Sequence, residues 1–221
     1  DRNGSNGRLR KRSTEEGDVE AGGCQTSENG LKKKGDIQMA KIGVFFSAGY
    51  EEIEALTVVD LCRRAGIEVT MVSVDETAAV TGSHQITVQM DQLLSETDFD
   101  AFDLLVLPGG MPGTLHLEAC DGLMEQLDRF YSAGKWVAAI CAAPQIFGHR
   151  GYLKGRKATS FPSMEKELDG AFVTHGAAEV DGNVITGRGM GCAIDFALKI
   201  IGCLISEEEA AAQAERIVYE R

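Results

Sequence analysis

The sequence predicts a doubly wound α/β sandwich in a single domain, with helices on both faces of a parallel sheet. Three observations carry that prediction. Short apolar runs alternate with helical periods from Met39 onward; the runs lack polar alternation, as strands covered on both faces require; and apolar residues make up 43% of 221, enough for one ordinary core. The strands are read at 41–46 (KIGVFF), 68–74 (EVTMVSV), 104–107 (LLVL) and 136–140 (WVAAI). Helices are read at 51–65, 121–132, 192–205 and 206–219, the last opening on Ser206 as N-cap with Glu207, Glu208 and Glu209 favouring its first turn. Strands alternating with helices imply right-handed crossovers. The alternation Ile86, Val88, Met90 falls outside that rhythm and predicts an extra strand or hairpin.

Composition narrows the function. Thirty-four acidic against 22 basic residues give a net charge of -12, which argues against a dedicated nucleic-acid binder, because phosphate affinity comes from clustered Lys and Arg. No apolar run approaches the ~20 residues that a bilayer requires. The six cysteines, Cys24, Cys62, Cys120, Cys141, Cys192 and Cys203, form no CxxC and no ligand-spaced pair with histidine, so a structural metal is disfavoured and a reducing, cytoplasmic setting is expected. Cys62, Cys192 and Cys203 lie at helical apolar spacing and read as core. Residues 1–38 hold Leu9, Val19, Leu31 and Ile37 as their only larger aliphatics, and read as a disordered polar extension ahead of a domain at 39–221. A basic docking arm built on residues 8–12 and 32–34 is the alternative.

In an open parallel sheet, ligands bind beyond the carboxyl ends of the strands. Three segments bring chemistry to that rim. Ala139-Ile140-Cys141-Ala142-Ala143-Pro144 runs a strand straight into a cysteine and a helix, with alanine two positions either side, which is what the sharp turn of a nucleophile elbow needs. The helix start behind Cys141 predicts a lowered thiol pKa. Leu107-Pro108-Gly109-Gly110 ends a strand on two glycines whose N–H groups can face a neighbouring site. On the helix at 51–65, Glu51 and Glu52 read as solvated first-turn charges. Glu54 instead heads a stripe with Val58, Leu61, Cys62 and Ala65, which predicts a buried carboxyl with a raised pKa. The four histidines, His84, His116, His149 and His175, read as surface or hydrogen-bonded residues. Gly187-Arg188-Gly189-Met190-Gly191-Cys192 lacks the last glycine of a dinucleotide fingerprint.

These segments resemble the ThiJ/PfpI superfamily, within it the branch of the parkinsonism-associated deglycase and its bacterial relatives. The matching stretches are Gly49-Tyr50-Glu51-Glu52-Ile53-Glu54 with Asp60 and Arg63-Arg64-Ala65-Gly66-Ile67, Val106-Leu107-Pro108-Gly109-Gly110, Ala138-Ala139-Ile140-Cys141-Ala142-Ala143-Pro144, and Thr186-Gly187-Arg188-Gly189 leading to Asp195-Phe196-Ala197-Leu198. The resemblance implies a flavodoxin-like homodimer with Cys141 as reactive cysteine and Glu54 as its protonated partner. It also implies an oxyanion site at the N–H groups of Gly110 and Ala142 beside Gly109, and substrate or anion contacts at Arg188, His84 and Phe161. The implied activity is a cofactor-independent glyoxalase or deglycase acting on methylglyoxal-type α-oxoaldehydes or glycated adducts in carbonyl and oxidative stress. Phe161 stands where some relatives place a histidine, which puts proton transfer on Glu54 or water. His84 stands where the animal protein has arginine, and Ala142 replaces the histidine of the protease-like branch, so peptidase activity is discounted. The alternatives are a redox sensor or chaperone whose Cys141 oxidises to sulfinate without turnover, and ester or amide hydrolysis at the same elbow.

Overall fold

The computed structural model describes residues 39–220, which fall in the structural unit Lys32–Arg221. The extension expected over residues 1–38 lies outside the described residues. Seven strands form the main sheet. Their sequence alternates between its two faces: in β1 (Lys41–Phe46) Ile42, Val44 and Phe46 enter one core and Phe45 the other. In β6 (Leu104–Leu107) and β7 (Trp136–Ile140), Val106, Ala138 and Ile140 join the first core, whereas Leu105, Leu107, Val137 and Ala139 join the second. Apolar residues at successive positions therefore satisfy both faces, which is why these strands read as unbroken apolar runs.

Helices α1 (Glu52–Arg64) and α5 (Ala193–Leu204) cover the first face through Val58, Cys62, Phe196 and Ile200. Helices α3 (Asp121–Ser132) and α4 (Pro144–His149) cover the second through Leu127, Phe130, Ile146 and Phe147. Between them the sheet runs β10 (Ala178–Asp181), β11 (Val184–Gly187), β7, β6, β1, β2 (Glu68–Ser73), β5 (Gln92–Leu93), every pairing parallel except β10 with β11. This is the doubly wound, flavodoxin-like arrangement the sequence predicts. The chain leaves β1 toward β2 and returns on the other side at β6, so the direction of winding reverses between β1 and β6, where such sheets open a crevice.

The extra hairpin appears as β3 (Ala79–Thr81) with β4 (Thr87–Gln89). Short elements unmarked by any period complete the fold: α2 (Gly113–Glu118) and the two-residue pair β8 (Lys157–Ala158) with β9 (Phe172–Val173). Helix α6 (Glu207–Arg216) starts as expected, with Ser206 Oγ accepting from Glu209 N–H at 3.2 Å. It ends three residues before the predicted 219, because Val218 takes a left-handed φ of 57° and Tyr219 turns back to donate to Asp195 on α5 at 2.8 Å. Of the three cysteines read as core, Cys62 is fully buried, whereas Cys192 and Cys203 at the ends of α5 are only half-buried.

Candidate active site

Three strand ends deliver the predicted segments to one place. At the end of β7, Cys141 adopts φ 64°, a left-handed conformation that a non-glycine residue holds only when its surroundings enforce it, at a cost of about 1–3 kcal/mol. They do so from both sides of the peptide: Cys141 N–H donates to the Gly187 carbonyl at 2.9 Å, and its carbonyl accepts from Phe161 N–H at 2.8 Å. The thiol is half-buried and receives backbone hydrogen bonds from the N–H groups of Ala142 and Gly110. These are the two donors expected for an oxyanion site.

Glu54 is fully buried, as its place at the head of the apolar stripe predicts. Its Oε2 accepts from Gly109 N–H at 3.0 Å, and its carboxyl hydrogen-bonds the Cys141 thiol. Oε1 has no nitrogen or oxygen partner. Burial, with the Glu51 charge adding to it, pushes the Glu54 carboxyl up to about 7 against the opposing hydrogen bonds. Gly109 thus serves the carboxyl rather than the oxyanion site. Its lack of a side chain is required there, since a Cβ would lie 2.5 Å from Glu54 Oε2 and 2.7 Å from Cys141 Cβ. Gly110 has φ +94°, and a Cβ on it would meet Glu51 N at 2.3 Å.

The expected lowering of the thiol pKa is overturned. Burial raises it, the negative charge and hydrogen bond of Glu54 raise it further, and the N–H groups of Ala142 and Gly110 offset only part. The helix behind the elbow, α4, is just six residues long, so little dipole opposes the desolvation. The carboxyl therefore gives up its proton first, and the thiol keeps its own beside it.

Glu51 and Glu52 correct a second expectation: both are buried. Glu51 caps α1 by accepting from Glu54 N–H at 2.8 Å, while its own N–H donates to the Gly109 carbonyl at 2.9 Å, tying the helix start to the loop after β6. Glu52 is covered by the β3–β4 turn, accepting from His84 N–H at 2.6 Å and contacting its Nδ1 at 3.0 Å. Burial opposes ionisation of Glu52, but the His84 ring and backbone hydrogen bonds outweigh it and hold its carboxyl below the usual range. His84 is therefore engaged with Glu52, and its side chain is 72% exposed. Arg188 donates from Nη1 to the His175 carbonyl at 2.6 Å. Phe161, anchored by its backbone to Cys141, is 47% exposed.

Glu51, Glu52 and His84 are the one acidic-histidine grouping among the described residues close enough to share an ion, with ligand atoms within 4.8 Å. Their donors and acceptors already serve α1 and the hairpin turn. Two surface hollows lie elsewhere: one of about 330 Å³ between α5 and α6, the other of about 660 Å³ along α1, including Ile53, Leu56, Ile86 and Ile217. Neither includes Cys141 or Glu54, and the chemistry identifies the site more strongly than concavity does. Sequence reasoning missed the cap at Glu51 and the buried, unpartnered hydroxyls of Tyr50 and Thr114; Thr114 N–H donates to the Gly110 carbonyl at 2.9 Å, which places it beside the same loop. No local pattern marks them.

The fold and this corner of it define an α/β protein that presents a cysteine at a strand-to-helix elbow against a buried carboxyl. The profile of the DJ-1/PfpI family matches residues 40–202, and the chain belongs to that family. It is 36% identical over 177 residues to Protein dj-1beta of Drosophila melanogaster, covering 79% of this chain and 95% of that protein. It is 37% identical over 172 residues to Protein DJ-1 homolog B of Arabidopsis thaliana, covering 77% of this chain, and 36% identical over 142 residues to a protein of Pyrococcus abyssi named a deglycase, covering 63% of this chain and 84% of that one. The chain spans 39% and 42% of the length of the two Arabidopsis relatives. Among solved structures it resembles oxidized Toxoplasma gondii DJ-1, with a TM-score of 0.79, 34% identity and coverage of 82% of this chain and all of that one. No described helix is long and apolar enough to cross a membrane.

Proposed function

We propose that this chain is a glutathione-independent glyoxalase or deglycase of the thiol type, acting on α-oxoaldehydes or their early adducts in carbonyl-stress protection, without a cofactor. The observation that carries the reading is the Cys141–Glu54 pair, a thiol hydrogen-bonded to a carboxyl that burial raises to about 7. Ionised Glu54 takes the thiol proton as the sulfur attacks the aldehyde carbon; a C–S bond forms, and the carbonyl oxygen takes the electron pair and then the proton from Glu54. The N–H groups of Gly110 and Ala142 stabilise the developing oxyanion. Glu54 then removes the C–H proton, the hydroxyl proton passes from the first oxygen to the second through an enediol, and the C–H proton returns to the neighbouring carbon, oxidising the aldehyde carbon and reducing the ketone carbon within one molecule. Water cleaves the resulting thioester to the 2-hydroxy acid and frees the thiol. Net, one α-oxoaldehyde plus one water gives one hydroxy acid, lactate in the case of methylglyoxal.

The test is lactate formation from methylglyoxal by proton NMR, without glutathione, for the chain and for Cys141→Ser and Glu54→Gln. Turnover lost in both variants supports the reading; three preparations equal to the buffer blank end it. A second reading, redox sensing, is favoured by the partial exposure of Cys141, where two N–H donors and a protonatable carboxyl can hold sulfinate oxygens. Mild peroxide followed by intact-mass analysis separates the two: gain of two oxygens at Cys141 alone, with no aldehyde turnover, selects the sensor. The apolar hollow along α1 supports a second copy of this chain as the partner, and the free thiols of Cys62, Cys120 and Cys141 support a reducing, cytoplasmic location.

A further inference from the structure

Three of the large apolar side chains left in solvent belong to the segments that frame the thiol. Phe161, 47% exposed, follows Ser160 on the segment whose backbone is bonded to the Cys141 carbonyl. Met190, 50% exposed, follows Gly189, and the Phe161 ring lies over that glycine, with its Cδ2 3.4 Å from where a Cβ would stand. Met111, 41% exposed, follows Gly110, whose N–H reaches the thiol from the other strand end. The two cationic candidates already have partners: Arg188 donates to the His175 carbonyl, and His84 contacts Glu52.

A substrate bound at Cys141 through its aldehyde must project its remaining substituent past the residues that border the thiol. An uncharged, apolar group covers Phe161, Met190 and Met111 from water, whereas a carboxylate or phosphate has to compete with the His175 carbonyl for Arg188 and with Glu52 for His84. We infer that the site selects α-oxoaldehydes carrying an apolar, ring-sized substituent, with Phe161 as the specificity-determining residue. The inference rests on the thiol-enzyme reading for the reaction, but the selectivity belongs to the mouth and is measurable without turnover.

The experiment alkylates Cys141 in the full chain with iodoacetamide or with iodoacetanilide, which differ only by a phenyl group. In each, a C–S bond forms, iodide leaves and the thiol proton goes to solvent. Rates at Cys141 are read by peptide mass spectrometry and divided by the rates of the same reagents with glutathione. The expected result is a normalised preference of about tenfold for iodoacetanilide, the discrimination a hydrophobic contact provides. The preference should fall toward one in Phe161→Ser and fall in part in Met190→Ser, which remains informative if the first variant does not fold. A ratio near one in the parent chain, or one unchanged in the folded variants, overturns the inference. Parallel turnover of phenylglyoxal and methylglyoxal separates the failures: no turnover of either with the alkylation preference intact removes the enzyme reading alone, and equal turnover of both with no alkylation preference removes the selectivity alone.

Discussion

Glu54 shows how one buried proton links folding to pH. In the folded chain the carboxyl keeps its proton to about 7, against an ordinary value of 4.5. Between those values the unfolded chain ionises while the folded one does not, so the stability that the neutral carboxyl permits is complete below about 4.5 and is lost as pH rises through about 7. That separation corresponds to ~3 kcal/mol. Glu54→Gln, which cannot ionise, should gain stability relative to the parent chain between pH 4.5 and 8 by about that amount; urea titrations across the range check it, and two parallel stability curves contradict it. The same titration sets the rate, because Glu54 must be ionised to take the thiol proton, so turnover should rise with pH through about 7. How much of this the sequence discloses depends on how local the cause is. Glu54 is legible because Val58, Leu61 and Cys62 share its helical face. Glu51 and Glu52 are misread because what buries them, the loop after β6 and the β3–β4 turn, arrives from distant parts of the chain. The Cys141 thiol is misread because a dipole argument cannot see the carboxyl and the apolar walls around it.

At the scale of elements, His149 joins three segments that surround the elbow. It ends α4; its Nδ1 lies 2.6 Å from Glu118 Oε1 at the end of α2, and its Nε2 lies 3.3 Å from Glu167 Oε2, on the turn at Pro162–Glu167 that follows Phe161. The Glu118 hydrogen bond foremost, together with Glu167, raises the His149 pKa against burial. Two carboxylates on two ring nitrogens are satisfied only by the imidazolium, so the tie is complete below the unfolded value near 6.5 and weakens as pH rises through the folded one. With 38% of the ring in solvent, screening limits its worth. His149→Ala should cost about 0.5–1 kcal/mol at pH 6 and less at pH 9, and should speed hydrogen exchange in the turn; equal losses at both pH values refute the tie. The strands β1, β6 and β7 and the helices α1, α3 and α5 are legible from their runs and periods. Helix α4 is legible only through the elbow that it follows, whereas α2, six residues long, and β5, β8 and β9, two residues each, are too short for any period to develop, and tertiary contacts define them.

On the whole-molecule scale, the exposed Ile53 and Ile86, at 50% and 52%, border the hollow along α1, an apolar surface a lone copy leaves wet. Association through this face predicts that Ile53→Glu shifts the chain to monomer in sedimentation equilibrium at micromolar concentration, with the fold retained by circular dichroism; an unchanged mass places the interface elsewhere. The margins of the sheet bear on the same question. On one side β5 offers only Gln92 and Leu93, and on the other β10 runs against its neighbour, with Asp181 accepting from Arg156 Nη1 through its carbonyl and from Lys157 N–H through its carboxylate. A bare strand margin is the template on which chains stack into fibrils, and here one margin is cut to two residues while the other is fastened by a neighbouring segment. A polypeptide with four apolar central strands is thereby protected from ribbon-like polymerisation at the places where it is most exposed to it.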